Sequence, residues 1–166
     1  MNLIVAVDKG WGIGYKNDLL YHISPDLKQF RAKTLNKVIV MGKNTLLSFP
    51  NAQPLKKREN IVVSTKLEKG EGYSVVRSLS ELFEVLKNYE SEDIFVIGGA
   101  SIYEQLLPYC DKAYVTKIDS VKEADAFFPN LDKENFWKVT EESEEQEFEG
   151  QKFRFVLYEN ENVKEF

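Results

Sequence analysis

Four short groups of residues have the types and spacing to hold a charged ligand or handle a proton. Asp26 stands in Ser24-Pro25-Asp26-Leu27-Lys28-Gln29-Phe30, a stretch that reads as a helix start. There Ser24 can act as N-cap, Pro25 suits the first helical position, and Asp26 lies at the positive end of the helix dipole. Leu27 and Phe30 share a side of that helix with Asp26, so the carboxyl sits among hydrophobes, where an ionised acid needs a partner. A solvent-facing charge that helps to start the helix is the plainer alternative. Lys43-Asn44-Thr45 and Ser64-Thr65-Lys66 bring cations and hydroxyls to the ends of two apolar runs, a pattern suited to phosphate. Gly98-Gly99 ends a third run just before a helix, so backbone N–H groups can approach an anion closely. Each of these last three groups is also compatible with an ordinary solvated turn.

Composition removes several other chemistries. A single histidine, His22, and a single cysteine, Cys110, cannot build a four-ligand zinc site of imidazole and thiolate, and no metal is expected. No Gly-x-Ser-x-Gly stands anywhere to pair with His22 in a hydrolytic triad, so His22 reads as a local hydrogen-bonding residue. The net charge of -5 disfavours a broad nucleic-acid surface. One cysteine cannot form an internal disulfide, which points to a reducing compartment. The apolar N-terminal run is cut short by Asp8 and Lys9 and lacks a basic segment before it, so it does not read as a signal peptide. With no run of membrane-spanning length, the expectation is a cytoplasmic protein without membrane partners.

Hydrophobic periodicity supplies the elements that must position these groups. Continuous apolar runs predict buried strands over 3–7, 37–41, 60–65, 73–77 and 93–97, with a further β-rich run over 112–118 that carries Thr116. Helices are predicted over 25–34, from Lys43 through Phe49, after the capping box Ser78…Glu81, and over 100–107 before Pro108. Gly10-Trp11-Gly12-Ile13-Gly14 follows the first strand, but no helix opens there as a dinucleotide fingerprint requires; a mobile loop with positive φ at the glycines fits instead. Residues 137–140 and 153–158 alternate as an antiparallel hairpin, with the Glu-rich 141–149 as its solvated outer part. The pattern predicts one α/β domain over 1–166, with a central, mostly parallel mixed sheet, about four flanking helices and a C-terminal antiparallel hairpin. In such a sheet ligands bind outside the carboxyl ends of the strands.

At this level of detail the chain resembles the dihydrofolate reductases in their short bacterial form, over essentially its whole length. The markers occur in family order: Gly12-Ile13-Gly14, Pro25-Asp26-Leu27-x-x-Phe30, Thr34, Val40-Met41-Gly42-Lys43-Asn44-Thr45, Ser48-Phe49-Pro50, Arg58-Glu59-Asn60, Val96-Ile97-Gly98-Gly99, Ile102-Tyr103 and Thr116-Lys117-Ile118. The resemblance implies reduction of 7,8-dihydrofolate to tetrahydrofolate with NADPH, hydride passing from nicotinamide C4 to pterin C6 and a proton reaching N5. It implies a place in one-carbon metabolism, antifolate binding and, by default, a monomer. It makes Asp26 the acid of the pterin pocket, with Thr116 as its hydrogen-bond partner. Ile4 and Ile97 would hold the pterin amine by their backbones, Ala6 would line the pterin and nicotinamide sites, and Leu27, Phe30, Phe49 and Leu55 would pack on the substrate. Arg58 would grip the glutamate α-carboxylate. For the cofactor, it assigns Ile13, Gly14 and Asn17 to the loop closing over nicotinamide. Lys43, Asn44 and Thr45, with Gly98, Gly99, Ala100, Ser101, Ile102 and Tyr103, would hold the pyrophosphate, and Ser64, Thr65, Lys66 and Arg77 would surround the 2′-phosphate.

Three departures stand out. Leu20-Tyr21 replaces the usual Pro-Trp, whose Trp fixes a water beside the acid, and the Tyr21 hydroxyl is a candidate substitute. Asn44 and Ser101 stand where many relatives are basic, which predicts a weaker preference for NADPH over NADH. The 50–58 loop is slightly longer than in close relatives. Two other readings remain at this stage: another pteridine or pyrimidinone reductase on the same fold, and a non-catalytic NADPH-binding module.

Overall fold

The computed structural model describes residues 1–166. In chain order the strands are β1 (Asn2–Val7), β2 (Gly12–Tyr15), β3 (Asp18–Leu19), β4 (Val38–Gly42), β5 (Glu59–Val63), β6 (Tyr73–Val76), β7 (Ile94–Gly98), β8 (Lys112–Ile118), β9 (Ala126–Phe127), β10 (Trp137–Glu142), β11 (Gln146–Phe148) and β12 (Gln151–Asn160). The α-helices are α1 (Ser24–Thr34), α2 (Lys43–Ser48), α3 (Leu79–Leu86) and α4 (Ala100–Leu106). The main sheet runs β10-β12-β8-β1-β7-β4-β5-β6, with β11 paired to β12. From β8 to β6 every pairing is parallel, and the antiparallel part is confined to β10, β11 and β12. That is the mixed sheet the sequence predicts.

Alternation along β1 divides the interior. Leu3, Val5 and Val7 point into the larger core, where Leu82 and Leu86 of α3 and Ile102, Tyr103 and Leu106 of α4 pack. Ile4 points the other way, into a smaller cluster with Leu46 of α2, against which Phe30 of α1, Phe49, Leu55 and Ile97 pack. Helices therefore cover both faces of the sheet, which is why its central strands are continuous apolar runs. On β12 both faces are also used: Phe153 and Phe155 belong with Ile23 and Ala6, whereas Val156 and Tyr158 enter the larger core.

Local structure departs from expectation at the start of α1, in the glycine-rich segment and in the capping box of α3. Helix α1 begins at Ser24 rather than Pro25, and its N-cap is Ile23, which has no capping side chain. The exposed Ser24 hydroxyl does not cap, and Leu27 N donates to Ile23 O at 3.1 Å. The glycine-rich segment is an organised hairpin and not a bare loop. Strands β2 and β3 pair with each other, and β9 adds to β2 as a third strand. Positive φ falls at Trp11, Lys16 and Asn17 instead of at Gly12 or Gly14. Gly12 is required by space: a Cβ there would come within 2.9 Å of Ala124 Cβ.

The capping box forms with one change. Ser78 Oγ accepts from Glu81 N at 3.1 Å, but the Glu81 carboxylate reaches one residue further out, accepting from Arg77 N at 2.7 Å.

Candidate active site

The site lies where the sheet splits. β1 and β7 pair only through Asn2↔Phe95 and Leu3↔Val96, and a register shift between Val40 and Met41 interrupts β4 against β7. β7 continues through α4 to β8 on the far side of β1, so the strand order reverses at this seam, the place where open α/β sheets bind ligands. Ile4 and Ala6 form one lip of the seam, and Ile97 and Gly98 form the other. Across it, Tyr103 of α4 donates from its hydroxyl to Ile4 O at 2.7 Å. Burial pushes the Tyr103 hydroxyl pKa well up, and the nearby Asp26 adds to the shift, so this donor stays protonated.

Asp26 projects from the first turn of α1 onto this seam. Its Oδ1 accepts from Thr116 Oγ1 at 2.5 Å, and Thr116 lies opposite Ala6 in the β1–β8 ladder. Burial raises the Asp26 carboxyl above the usual value; the Thr116 bond opposes this in part. An acid shifted upward in a cleft is the combination a proton donor needs near neutral pH. Tyr21 packs in the cluster holding Ala6 and Phe155, the residues that flank Thr116 in the sheet. Its hydroxyl is buried and has no protein partner.

Beyond Asp26 the cleft floor is apolar. Phe30, Phe49 and Leu55 pack together on the Ile4 cluster, and Leu27 stands at the rim, 43% exposed. Arg58 closes the outer end. Its Nε donates to Thr34 Oγ1 at 3.1 Å, its Nη1 donates to Lys56 O at 3.0 Å, and its guanidinium lies 6.0 Å from the Phe30 ring centroid. Partial burial and the neighbouring Arg31 lower its pKa. No carboxylate of the chain pairs with it, so its remaining donors can take an anion.

A second set of predicted residues gathers across the ends of β4, β5 and β7. Lys43 and Thr45 open α2, and Gly98 and Gly99 meet Thr45 from the end of β7. Gly98 has φ +136°, and a Cβ there would sit 3.1 Å from Thr45 Oγ1. Past β5, Ser64 Oγ accepts from Lys66 N at 3.2 Å and Leu67 N at 3.0 Å, while Arg77 Nη1 donates to Ser64 O at 2.9 Å and Leu67 O at 2.6 Å. Arg77 thus holds this turn in shape, leaving Thr65 and Lys66 exposed. Asn44 and Ser101 are exposed as well, and Ser101 Oγ is engaged by Gln105 Nε2 at 2.9 Å. Ile13 and Gly14 lie on β2, with Asn17 at the exposed tip of the hairpin; Lys16 N donates to Asp125 Oδ2 at 3.0 Å nearby.

Sequence reasoning missed three supports of this site. Asn60, 1% exposed, donates to Leu55 O at 2.9 Å and Arg58 O at 3.1 Å and accepts from Leu55 N at 3.1 Å, folding the loop that presents both residues. Thr34, fully buried, also donates to Phe30 O at 2.8 Å. Asp8, 3% exposed, accepts from Gly10 N and Gly12 N at 2.9 Å and from Lys122 N at 3.1 Å, tying the hairpin to the segment before β9. The signal for Thr34 and Asn60 was present in the motifs, as polar residues bordering apolar runs. His22 is exposed on the hairpin side, with Nε2 3.5 Å from Asp18 Oδ1, outside the site.

A mixed α/β sheet with an acid-bearing cleft at its switch point defines the class of α/β proteins that bind small molecules at the carboxyl ends of their strands. The family model for dihydrofolate reductase matches residues 1–160. The dihydrofolate reductase of Buchnera aphidicola is 39% identical over 139 residues, 84% of each chain, and that of Bacillus subtilis is 36% identical over 165 residues, 98% of this chain and 95% of its own. Among solved structures, dihydrofolate reductase from Enterococcus faecalis, complexed with NADP(H) and RAB-propyl, aligns with a TM-score of 0.85 at 29% identity, covering 96% of this chain and 95% of that one. The chain belongs to the dihydrofolate reductase family.

Proposed function

We propose that the protein reduces 7,8-dihydrofolate to tetrahydrofolate with NADPH, using Asp26 as the acid of the pterin pocket. The observation that carries this reading is the Asp26–Thr116 pair at the sheet's switch point, with the acid raised by burial. The cofactor fits the residues present: Gly98 forms a cradle that a side chain would fill, and the Ser64 turn is preformed beside Lys66 and Arg77. When bound, NADPH supplies the hydride that goes to pterin C6.

The chain's own groups do the rest. Ile4 and Ile97 present backbone carbonyls to the pterin amine, with Tyr103 steadying the carbonyl of Ile4. Asp26 holds the pterin ring through its 2-amino group and N3 and favours protonation at N5, and Tyr21 directs its hydroxyl towards the water that carries the proton. Phe30, Phe49, Leu27 and Leu55 exclude solvent, which strengthens these electrostatic contacts. Arg58 receives the glutamate α-carboxylate. Lys43, Thr45 and residues 98–103 hold the pyrophosphate; Ser64, Thr65, Lys66 and Arg77 take the 2′-phosphate. The hairpin carrying Ile13, Gly14 and Asn17 covers the nicotinamide side.

One continuous sheet joins strands from near both ends of the chain, which supports reading 1–166 as one domain; a monomer is the default expectation for it. The lone thiol, buried and pushed up to about 12 by desolvation, suits a reducing cytoplasm, and no helix is long and apolar enough to cross a membrane. Antifolates, as mimics of the pterin, would occupy the same cleft.

The test is loss of NADPH absorbance on adding dihydrofolate, run beside NADH and beside Asp26→Asn. Turnover with NADPH that falls about 100-fold or more in Asp26→Asn near neutral pH is the expected result. Dihydrofolate left unconsumed while NADPH binds would return the protein to a binding module.

A further inference from the structure

Leu20-Tyr21, the pair that departs from the family's usual Pro-Trp, has a partner that the reaction described above does not use. Lys122, in the segment between β8 and β9, donates from Nζ to Leu20 O at 2.9 Å, and the same ammonium lies 4.2 Å from the centroid of the Tyr21 ring. No carboxylate of the chain pairs with Lys122. Its cation is therefore directed at a carbonyl and an aromatic face, both of which attract positive charge. The side chain reaches them from a fixed base. Lys122 N donates to Asp8 Oδ2 at 3.1 Å, Lys9 N donates to Ser120 O at 2.9 Å, and Lys9 Nζ pairs with Asp119 Oδ1 at 2.7 Å. Residues 119–122 are thus tied to the entry of the β2–β3 hairpin, and the Lys122 side chain spans to its exit. Tyr21 has no hydrogen bond of its own to fix it: its ring packs beside Ala6 and Phe155, and its hydroxyl is buried with no protein partner. A proline at position 20 would lock φ there, whereas leucine does not, and the bond to Leu20 O restrains that peptide in its place.

We propose that Lys122 is a positioning residue for Tyr21: its ammonium holds the face of the ring and the carbonyl just before it. The ring is thereby kept against the row Ala6, Thr116 and Phe155, whose middle member meets Asp26. This rests on the reading of Tyr21 as a site residue of the reductase. It is separate from the bonds of Asp125, which act on β2 and the hairpin tip: Asp125 N donates to Gly14 O at 3.0 Å, and Lys16 N donates to Asp125 Oδ2 at 3.0 Å. Those bonds leave the exit of the hairpin untouched, and Lys122 is the residue that holds it.

The experiment compares the wild type with Lys122→Met, Lys122→Arg, Tyr21→Leu and the double variant of Lys122→Met with Tyr21→Leu. Lys122 is exposed, and its backbone bond to Asp8 survives every substitution, so the fold is kept. One readout is turnover of dihydrofolate with NADPH. The other is the ring carbon-13 NMR signal of Tyr21 in tyrosine-labelled protein without ligands, assigned by its loss in Tyr21→Leu. Lys122→Met should lower kcat about 3-fold, leave both KM values within about 2-fold, and move the Tyr21 signal. Lys122→Arg, whose guanidinium can stack on the ring and donate to the carbonyl, should restore both readouts. In the Tyr21→Leu background Lys122→Met should cost nothing more. A kcat loss of undiminished size in that background overturns the proposal, because Lys122 would then serve the hairpin through Leu20 O alone. An unmoved Tyr21 signal, or an unchanged kcat, in Lys122→Met overturns it as well. A Tyr21→Leu enzyme as active as the wild type removes the role of Tyr21 and with it that of Lys122. A wild type that consumes no dihydrofolate fails the reductase reading, and the proposal with it; a working wild type indifferent to Lys122→Met fails the proposal alone.

Discussion

Thr34 Oγ1 accepts from Arg58 Nε at 3.1 Å while donating to Phe30 O at 2.8 Å, so the last turn of α1 sets the aim of a guanidinium that comes from a loop. The arginine is held through Nε and Nη1 and keeps Nη2 for a further partner, the arrangement needed for a carboxylate that arrives with the substrate.

Arg58→Ala should therefore raise the KM for dihydrofolate by about 10- to 100-fold, the worth of a charge-assisted pair. The KM for a dihydropterin that lacks the glutamate tail should not move. Thr34→Val should produce a smaller rise in the same direction. Steady-state kinetics with both substrates checks this, and equal losses on the two would show that Arg58 serves the fold instead.

Thr116→Val removes the donor that favours the ionised carboxyl of Asp26. The acid, already raised by burial, should rise further, and the midpoint of the kcat profile should move up by roughly one pH unit. A pH titration of turnover reads it directly; a downward move would show that the hydroxyl serves the neutral form.

The raised acid also has a consequence for stability. Its folded pKa lies above the ordinary value of 3.8, so on passing upward through that interval the native state binds more protons than the unfolded chain. Stability is lost as pH rises towards the folded pKa, and above it the whole cost of a buried carboxylate remains. Asp26→Asn lacks this cost. Its advantage over the wild type in urea unfolding should be small near pH 4 and largest near pH 8, and an advantage that shrinks with rising pH would contradict the sign.

Gly98→Ala puts a methyl 3.1 Å from Thr45 Oγ1 at a residue with φ +136°, a conformation that L side chains rarely adopt. Binding of NADPH, followed by fluorescence titration, should weaken by about 10-fold or more, while binding of a pterin-type antifolate in the absence of cofactor should change little. Equal loss of both ligands would mean that the substitution disturbs the whole seam.

How much of this was legible in the chain itself depends on whether the signal was local. The strands through Leu3–Val7, Val38–Met41, Ile61–Val63 and Ile94–Ile97 are uninterrupted apolar runs, and a run that is apolar on both sides can only be buried on both sides, so the parallel sheet and its covering helices followed from sequence. The type and order of the site residues, with Asp26 on a helix and glycines at the end of β7, were legible for the same reason.

Other features depended on partners far along the chain. That Thr116 reaches Asp26 across 90 positions, that Tyr103 steadies Ile4, and that Asn60 and Thr34 shape the presentation of Arg58 are properties of packing, which periodicity does not encode. The same limit explains the glycine hairpin: Gly10 to Gly14 looks loose in isolation because the buried carboxylate of Asp8 and the added strand β9 are supplied by the folded chain. Sequence by itself determined which side chains were available and on which elements they would ride. Only the tertiary structure decided their protonation and aim, because desolvation and hydrogen bonding depend on what the fold brings alongside each group.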